Sequence, residues 1–232
     1  MVVLTANERR ALELLEERTR PVPRGATVQR ENDPTGEMFI LRTGMMMSSV
    51  LLVDGSRQIL RFHFAGDMIA VSGLAYREAS ETISALSDCV VCPFERSAFA
   101  AVLADHPRLA ALIIVCNQVE RAALTDRLAV LGRTSAKARV AAILIDLRNR
   151  MRMLDTGIST SFALGLTQEE IGDATGLTAV HVNRMLRQLE DEGMLAREAG
   201  RFTFTDERAL ERAANFVDRY AGLDLGWLPA GR

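Results

Sequence analysis

The sequence predicts an α+β protein with a small N-terminal β-barrel or sandwich, one long helix and a C-terminal winged helix-turn-helix. Three observations predict this. Residues 166–195 read as a helix, a glycine turn and a second helix, followed by hairpin-forming residues. Residues 22–100 carry short apolar runs separated by turn residues. From Arg108 to Leu131 there is no glycine or proline.

The C-terminal elements follow from caps and periodicity. Thr167 is placed to cap a helix, and Glu170 three residues on completes a capping box. Ile171 and Ala174 form its inward stripe, and Gly176 supplies the turn. Thr178 caps the second helix, where Val182, Leu186 and Leu189 keep the helical apolar period. That leaves Ala179, Val180, Asn183, Arg184 and Arg187 on an outer face. An exposed Asn and Arg near a helix N-terminus can enter a major groove and meet base edges, which points to DNA binding. The alternative is an ordinary helical hairpin with a solvated face. Residues 194–197 and 202–205, separated by Gly200-Arg201, read as two short strands forming a wing, with Arg197 and Arg201 placed to touch phosphate. Residues 206–220 read as a closing helix, with Leu210, Ala213, Ala214 and Val217 on one face.

Towards the N-terminus, residues 5–18 predict a short amphipathic helix ended by Pro21 and Pro23. Residues 38–41, 49–53 and 58–64 read as strands, and Asp54-Gly55 favours a two-residue hairpin turn. Strands at this spacing imply an antiparallel barrel or sandwich. The helix over 107–131 keeps one face apolar throughout, longer than a small barrel covers, so it reads as a dimer seam rather than as packing on its own barrel. Residues 132–135 read as the hinge, 136–153 as a further helix and 158–164 as a strand pair. The expected domains are 1–104 (N-terminal helix and sensing barrel), 105–132 (dimerisation helix) and 133–232 (winged helix-turn-helix).

Composition sets the bounds. The chain has 232 residues, 48% of them hydrophobic, which suits two modest domains. No apolar run reaches membrane-spanning length and the N-terminus lacks a signal-peptide pattern, so the expected location is cytoplasmic, with no membrane partner. Net charge is −2, so a DNA-binding face must gather its bases locally, with Arg184, Arg187, Arg197 and Arg201 as candidates. No nucleophile–base constellation, phosphate loop or metal cluster marks an enzyme, and three cysteines do not make a disulfide framework.

The order of barrel, long helix and winged helix-turn-helix resembles the Crp/Fnr family of bacterial transcription regulators. The matching motifs are GEMFILRTG (36–44), DGSRQI (54–59), AGD (65–67), HP (106–107), LGRTSAKARVA (131–141) and LTQEEIGDATGLTAVHVNR (166–184). The wording GLTAVHVNR resembles a large branch, mostly proteobacterial, whose effectors are undefined. The resemblance implies a cyclic-nucleotide-binding-like double-stranded β-helix (jelly-roll) barrel. It also implies a homodimer whose two recognition helices read a palindrome about 34 Å apart. In that family the recognition helix commonly carries a glutamate two residues after the cap and an arginine four beyond. Here Val180 and Arg184 hold those positions. Arg184 suits a guanine, Asn183 an adenine and Val180 a thymine methyl. His181 is a phosphate or base contact, or simply exposed. Gln168 and Thr178 are expected phosphate contacts, joined by Arg187 and Arg201.

The resemblance also locates an effector pocket at Ser72, Arg77, Thr82, Leu124 and Thr125. Relatives that bind cyclic AMP place a glutamate and an Arg-Ser pair in the cassette after the Gly-Asp turn, since a buried phosphate needs a counter-charge. Here Val71-Ser72 replaces the former. Glu81-Thr82, or Ala79-Ser80 with a gap, replaces the latter. Arg77 is displaced and Leu124 replaces a polar adenine contact. Cyclic AMP is therefore not expected to bind well, and micromolar affinity by calorimetry would contradict this. An iron–sulfur cluster fits poorly, because the first cysteine is Cys89 and Cys89/Cys92 on a strand point to opposite faces. Buried thiols are the reading there, and seam packing for Cys116, with a redox-active interface cysteine as the alternative. His63, His106 and His181 are too scattered for a metal site, and Met45-Met46-Met47 reads as strand packing. Haem stays open, since one axial histidine or methionine suffices. Partners implied are duplex DNA, a second copy, an unknown small-molecule effector and, for an activator, RNA polymerase. The competing function is a ligand- or redox-sensing protein with DNA binding secondary or lost; a steep salt slope on a palindrome separates the two.

Overall fold

In the computed structural model, residues 3–219 and 222–229 are described. The chain opens with α1 (Ala6–Leu15), β1 (Arg20–Val22), β2 (Thr27–Gln29), β3 (Met38–Thr43), β4 (Met46–Leu51) and β5 (Arg57–His63). After β6 (Met68–Ile69) and a 3-10 turn (Val71–Leu74) come β7 (Thr82–Ala85) and β8 (Cys89–Phe94). Helices α2 (Arg96–Asp105), α3 (Pro107–Arg133) and α4 (Ala136–Leu154) follow. The last elements are β9 (Ser161–Ala163), α5 (Gln168–Thr175), α6 (Ala179–Asp191), β10 (Leu195–Glu198), β11 (Arg201–Phe204) and α7 (Glu207–Ala214). Strands β1–β8 form two antiparallel four-stranded sheets, ordered β1-β8-β3-β6 and β2-β7-β4-β5. Strands β9–β11 form a third, ordered β10-β11-β9.

Backbone contacts group the chain into two compact units. The first holds Met1–Met45, Ala65–Thr125 and Asp218–Arg232; the second holds Met46–Phe64 and Asp126–Val217. The boundary falls inside α3. In the first unit, Ala11 and Leu15 of α1 join Met38, Ile40, Cys92, Phe94, Phe99, Val102 and Leu109 in one apolar core. The Thr5–Glu8 capping box that starts α1 is formed. The helix ends at Leu15 rather than at residue 18, because the chain must extend into β1 from Arg20. Helix α2 was not anticipated; its Phe99 and Val102, three apart, are its buried face.

In the second unit, Val140, Ala141, Leu144, Ile145 and Leu147 make α4 the core helix. Buried Arg148 is ion-paired to Glu207 of α7 and lies 4.9 Å from the Phe204 ring. The same unit takes in the β4–β5 hairpin. Arg57 donates to the Asp173 carboxylate at 2.7 Å, and Gln58 donates to the Asp173 carbonyl at 2.7 Å. Arg127 of α3 donates to the carbonyls of Leu60, Ile59 and Ala174 at 2.6–2.8 Å.

Several boundaries differ from expectation. Strand β4 occupies Met46–Leu51 rather than 49–53, because Met46–Ser49 are the buried residues and Leu51, Leu52 and Val53 are exposed. The turn is not two residues long. The N–H of Leu52 donates to Ser56 and that of Gly55 to Leu52, with Gly55 at φ 83°, a three-residue loop closed by a left-handed glycine. Helix α3 runs through Gly132 and Arg133, since one glycine costs a helix only about 1 kcal/mol. The break comes at Thr134-Ser135, where Ser135 caps α4. Residues 158–164 hold one strand, β9, paired with β11, not a strand pair. Helix α7 stops at Ala214, where Asn215 turns left-handed at φ 51°. The expected end at Tyr220 lies outside the described residues. Among the described residues, no single helix is long and apolar enough to cross a membrane.

Candidate nucleic-acid interface

Helices α5 and α6 are set by their caps. Thr167 accepts from the Glu170 N–H, and the Glu170 carboxylate accepts from the Thr167 N–H at 2.6 Å. Gly176 ends α5 at φ 65°, and the Thr178 hydroxyl accepts from the His181 N–H at 3.3 Å. Gly172 lies where the turn folds back: its carbonyl accepts from the Leu177 N–H at 3.0 Å, and a Cβ on it would overlap the Leu177 carbonyl oxygen. Arg139 of α4 donates to the Thr175 carbonyl at 3.0 Å. The two helices are thereby held at a close, fixed approach.

Val182, Met185, Leu186 and Leu189 bury one face of α6. The opposite face presents Val180, His181, Arg184 and Arg187, all exposed, with Val180 at 80%. Asn183 and Ala179 are half-buried beside this ridge rather than fully on it. Gln168 and Thr178 are exposed at the starts of α5 and α6. His181 Nδ1 lies 3.3 Å from the Thr178 hydroxyl.

The wing pairs Leu195 with Phe204 and Glu198 with Arg201 around Ala199-Gly200. Both turn residues have positive φ, 46° and 79°, the primed-turn geometry that matches strand twist. Its strands are shifted by one residue from those expected. Arg201 is exposed, with its Nε donating to the Ser161 hydroxyl at 3.3 Å. Arg197 is not available as a phosphate contact: its Nε and NH2 donate to the two Glu190 carboxylate oxygens at 3.0 and 2.7 Å. These bonds hold the Glu190 carboxyl below its usual pKa. The alternation of the strand puts Arg197 on the side of buried Leu195, a signal present in the sequence and not used for this residue. A groove of about 400 Å³ runs between the start of α5, α6 and the wing, with Gln168, Glu190, Arg197 and Arg201 among its lining residues.

The residues assigned to an effector pocket are dispersed in their bonding. Ser72 lies in the 3-10 turn with its hydroxyl buried and unpartnered. Arg77 is exposed in the link to β7, its carbonyl accepting from the Thr35 N–H. The Thr82 hydroxyl accepts from the Glu31 N–H, and that of Thr125 donates to the Arg121 carbonyl. Leu124 is 45% exposed on α3. No arginine stands at the cassette position that a cyclic phosphate needs, so these residues do not fit that ligand. Cys89 and Cys92 are buried on β8, and burial pushes both thiols up, away from the thiolate a metal requires. Cys116 is exposed on α3. Of the Met45–Met47 run, Met46 and Met47 are buried in β4, as strand packing requires.

A barrel followed by a winged helix-turn-helix, with an arginine-bearing ridge free on its second helix, defines a DNA-binding transcription regulator. A Crp-like helix-turn-helix domain model matches residues 138–213, and a cyclic nucleotide-binding domain model matches 19–106. The nitrogen fixation regulation protein FixK of Bradyrhizobium diazoefficiens is 32% identical over 190 residues, 82% of this chain and 79% of FixK. The fumarate and nitrate reduction regulatory protein of Escherichia coli is 26% identical over 94% of this chain and 87% of its own. The solved structure of FixK2 from Bradyrhizobium japonicum matches with a TM-score of 0.75 at 25% identity, over 84% of this chain and 96% of that one. The chain belongs to the Crp/Fnr family of transcription regulators.

Proposed function

We propose that this protein is a cytoplasmic homodimer that reads a palindromic operator with α6, and that cyclic AMP does not control it. The carrying observation is the free ridge of Val180, His181, Arg184 and Arg187 beside an exposed Arg201. Arg184 takes a guanine, half-buried Asn183 an adenine, and Val180 a thymine methyl. Gln168, Thr178, Arg187 and Arg201 hold register on phosphates. Residues 1–104 sense, 105–132 pair the subunits and 133–232 bind DNA. Exposed Ile114, Leu124 and Leu128 on α3 support the pairing role. The sequence GLTAVHVNR places the chain in the branch with undefined effectors, and an activator of this type also meets RNA polymerase.

The test is an unbiased operator selection on the purified protein. A palindrome is expected, with half-sites one helical turn apart. Arg184→Ala is expected to lose about 1–3 kcal/mol per half-site and to blur one base position. An unchanged base preference in that variant would refute the assignment.

A further inference from the structure

We propose that Glu190 and Arg197 form a strut that sets the wing on the recognition helix, leaving Arg201 as the wing's phosphate contact. The inference rests on the DNA-binding reading above. Three features carry it. Strand β10 is the edge of its sheet, held on one side by β11 alone. A four-residue hairpin is marginal by itself, so its angle to α6 needs another tie. The only α6–β10 ion pair among the described residues for which distances are given is this one, with both carboxylate oxygens engaged and the two side chains 27% and 23% exposed. A two-point guanidinium–carboxylate pair fixes orientation as well as distance.

The register then sorts the arginines. Leu195 and Arg197 face their cross-strand partners Phe204 and Phe202, which are buried. Arg201 has the other parity and lies next to the Ala199-Gly200 turn, on the exposed side. Arg197 carries a compensated charge and adds little to the field at DNA. Its effect is on where the turn, and Arg201 with it, comes to rest. Arg197 is a positioning residue.

The experiment measures operator binding by the full-length protein across a salt series, with melting followed by circular dichroism. Arg201→Ala is expected to flatten the slope of log K against log salt by about 0.9 per subunit, the signature of one lost phosphate contact. Arg197→Ala is expected to lower affinity on the order of tenfold with its slope unchanged. The reversed pair, Glu190→Arg with Arg197→Glu, is expected to regain most of that loss. Arg197→Lys covers the case in which the alanine variant unfolds: a lysine keeps a phosphate contact but not a two-point strut, so a loss in this variant supports the strut and wild-type affinity overturns it. A slope flattened by Arg197→Ala as by Arg201→Ala also overturns it, as does a reversed pair no better than the single variant. A wild-type chain without salt-dependent operator binding overturns the DNA-binding reading and the strut together.

Discussion

Gly172 shows how a single atom is felt at the centre of the helix-turn-helix. In an open helix, alanine is favoured over glycine by about 1 kcal/mol. Here the added methyl would overlap the backbone carbonyl of Leu177, which is held by its own hydrogen bond and cannot rotate away. Overpacking costs about 1–3 kcal/mol, so the clash wins over propensity. Gly172→Ala is expected to lower stability in urea unfolding and to weaken operator binding; a variant more stable than wild type would show that the turn relaxes freely. Glycine at this position sat inside a helical run, where the sequence alone marks it as tolerated rather than required. By contrast, the two caps at Thr167 and Thr178 were legible, because capping depends on residues three apart and not on packing.

Among the elements, the β4–β5 hairpin holds a buried titratable group. His63 is 3% exposed, its Nε2 lies 2.5 Å from the Ser48 hydroxyl and its Nδ1 has no partner. Burial, and then the positive charges of Arg61 and Arg150, hold its pKa well below 6.5. The unfolded chain therefore takes up a proton that the folded chain refuses. Stability is highest above about pH 6.5 and falls as pH drops below it. Between pH 7.5 and 5.5 the loss is about 1.4 kcal/mol. In urea unfolding at the two pH values, His63→Gln is expected to remove that difference; an equal difference in the variant would place the proton elsewhere. The apolar run Leu51-Leu52-Val53 of this hairpin suggests strand interior, yet its residues are exposed at the hairpin end. Register across β4 and β5, with Met46 opposite His63, decided which residues went inside. The wing makes the same point: both arginines were visible, but only the pairing register separates the one tied to Glu190 from the one left outside.

At the scale of the whole molecule, α3 leaves Ile114, Leu124 and Leu128 uncovered at 58, 45 and 72% exposure. A long apolar stripe at helical spacing is stabilised by a second helix, and a charge placed in such a seam is desolvated without a partner. Leu128→Glu is expected to yield monomers in sedimentation and to cut operator affinity at least tenfold, because the two half-sites are then bound independently. Sedimentation as a stable dimer would remove α3 near Leu128 from the seam.

The sequence by itself determined the order of barrel, long helix and winged helix-turn-helix, the caps of α4 to α6 and the exposed arginine ridge. These depend on local periodicity and on residues a few positions apart. Only the tertiary structure decided that the β4–β5 hairpin packs with Asp173 and Arg127, that Gly172 admits no side chain, and that Arg197 is spent on Glu190. Each of those depends on which residues distant in the chain arrive within hydrogen-bonding or van der Waals reach. Strand register and helix approach set that reach, and local composition does not encode it.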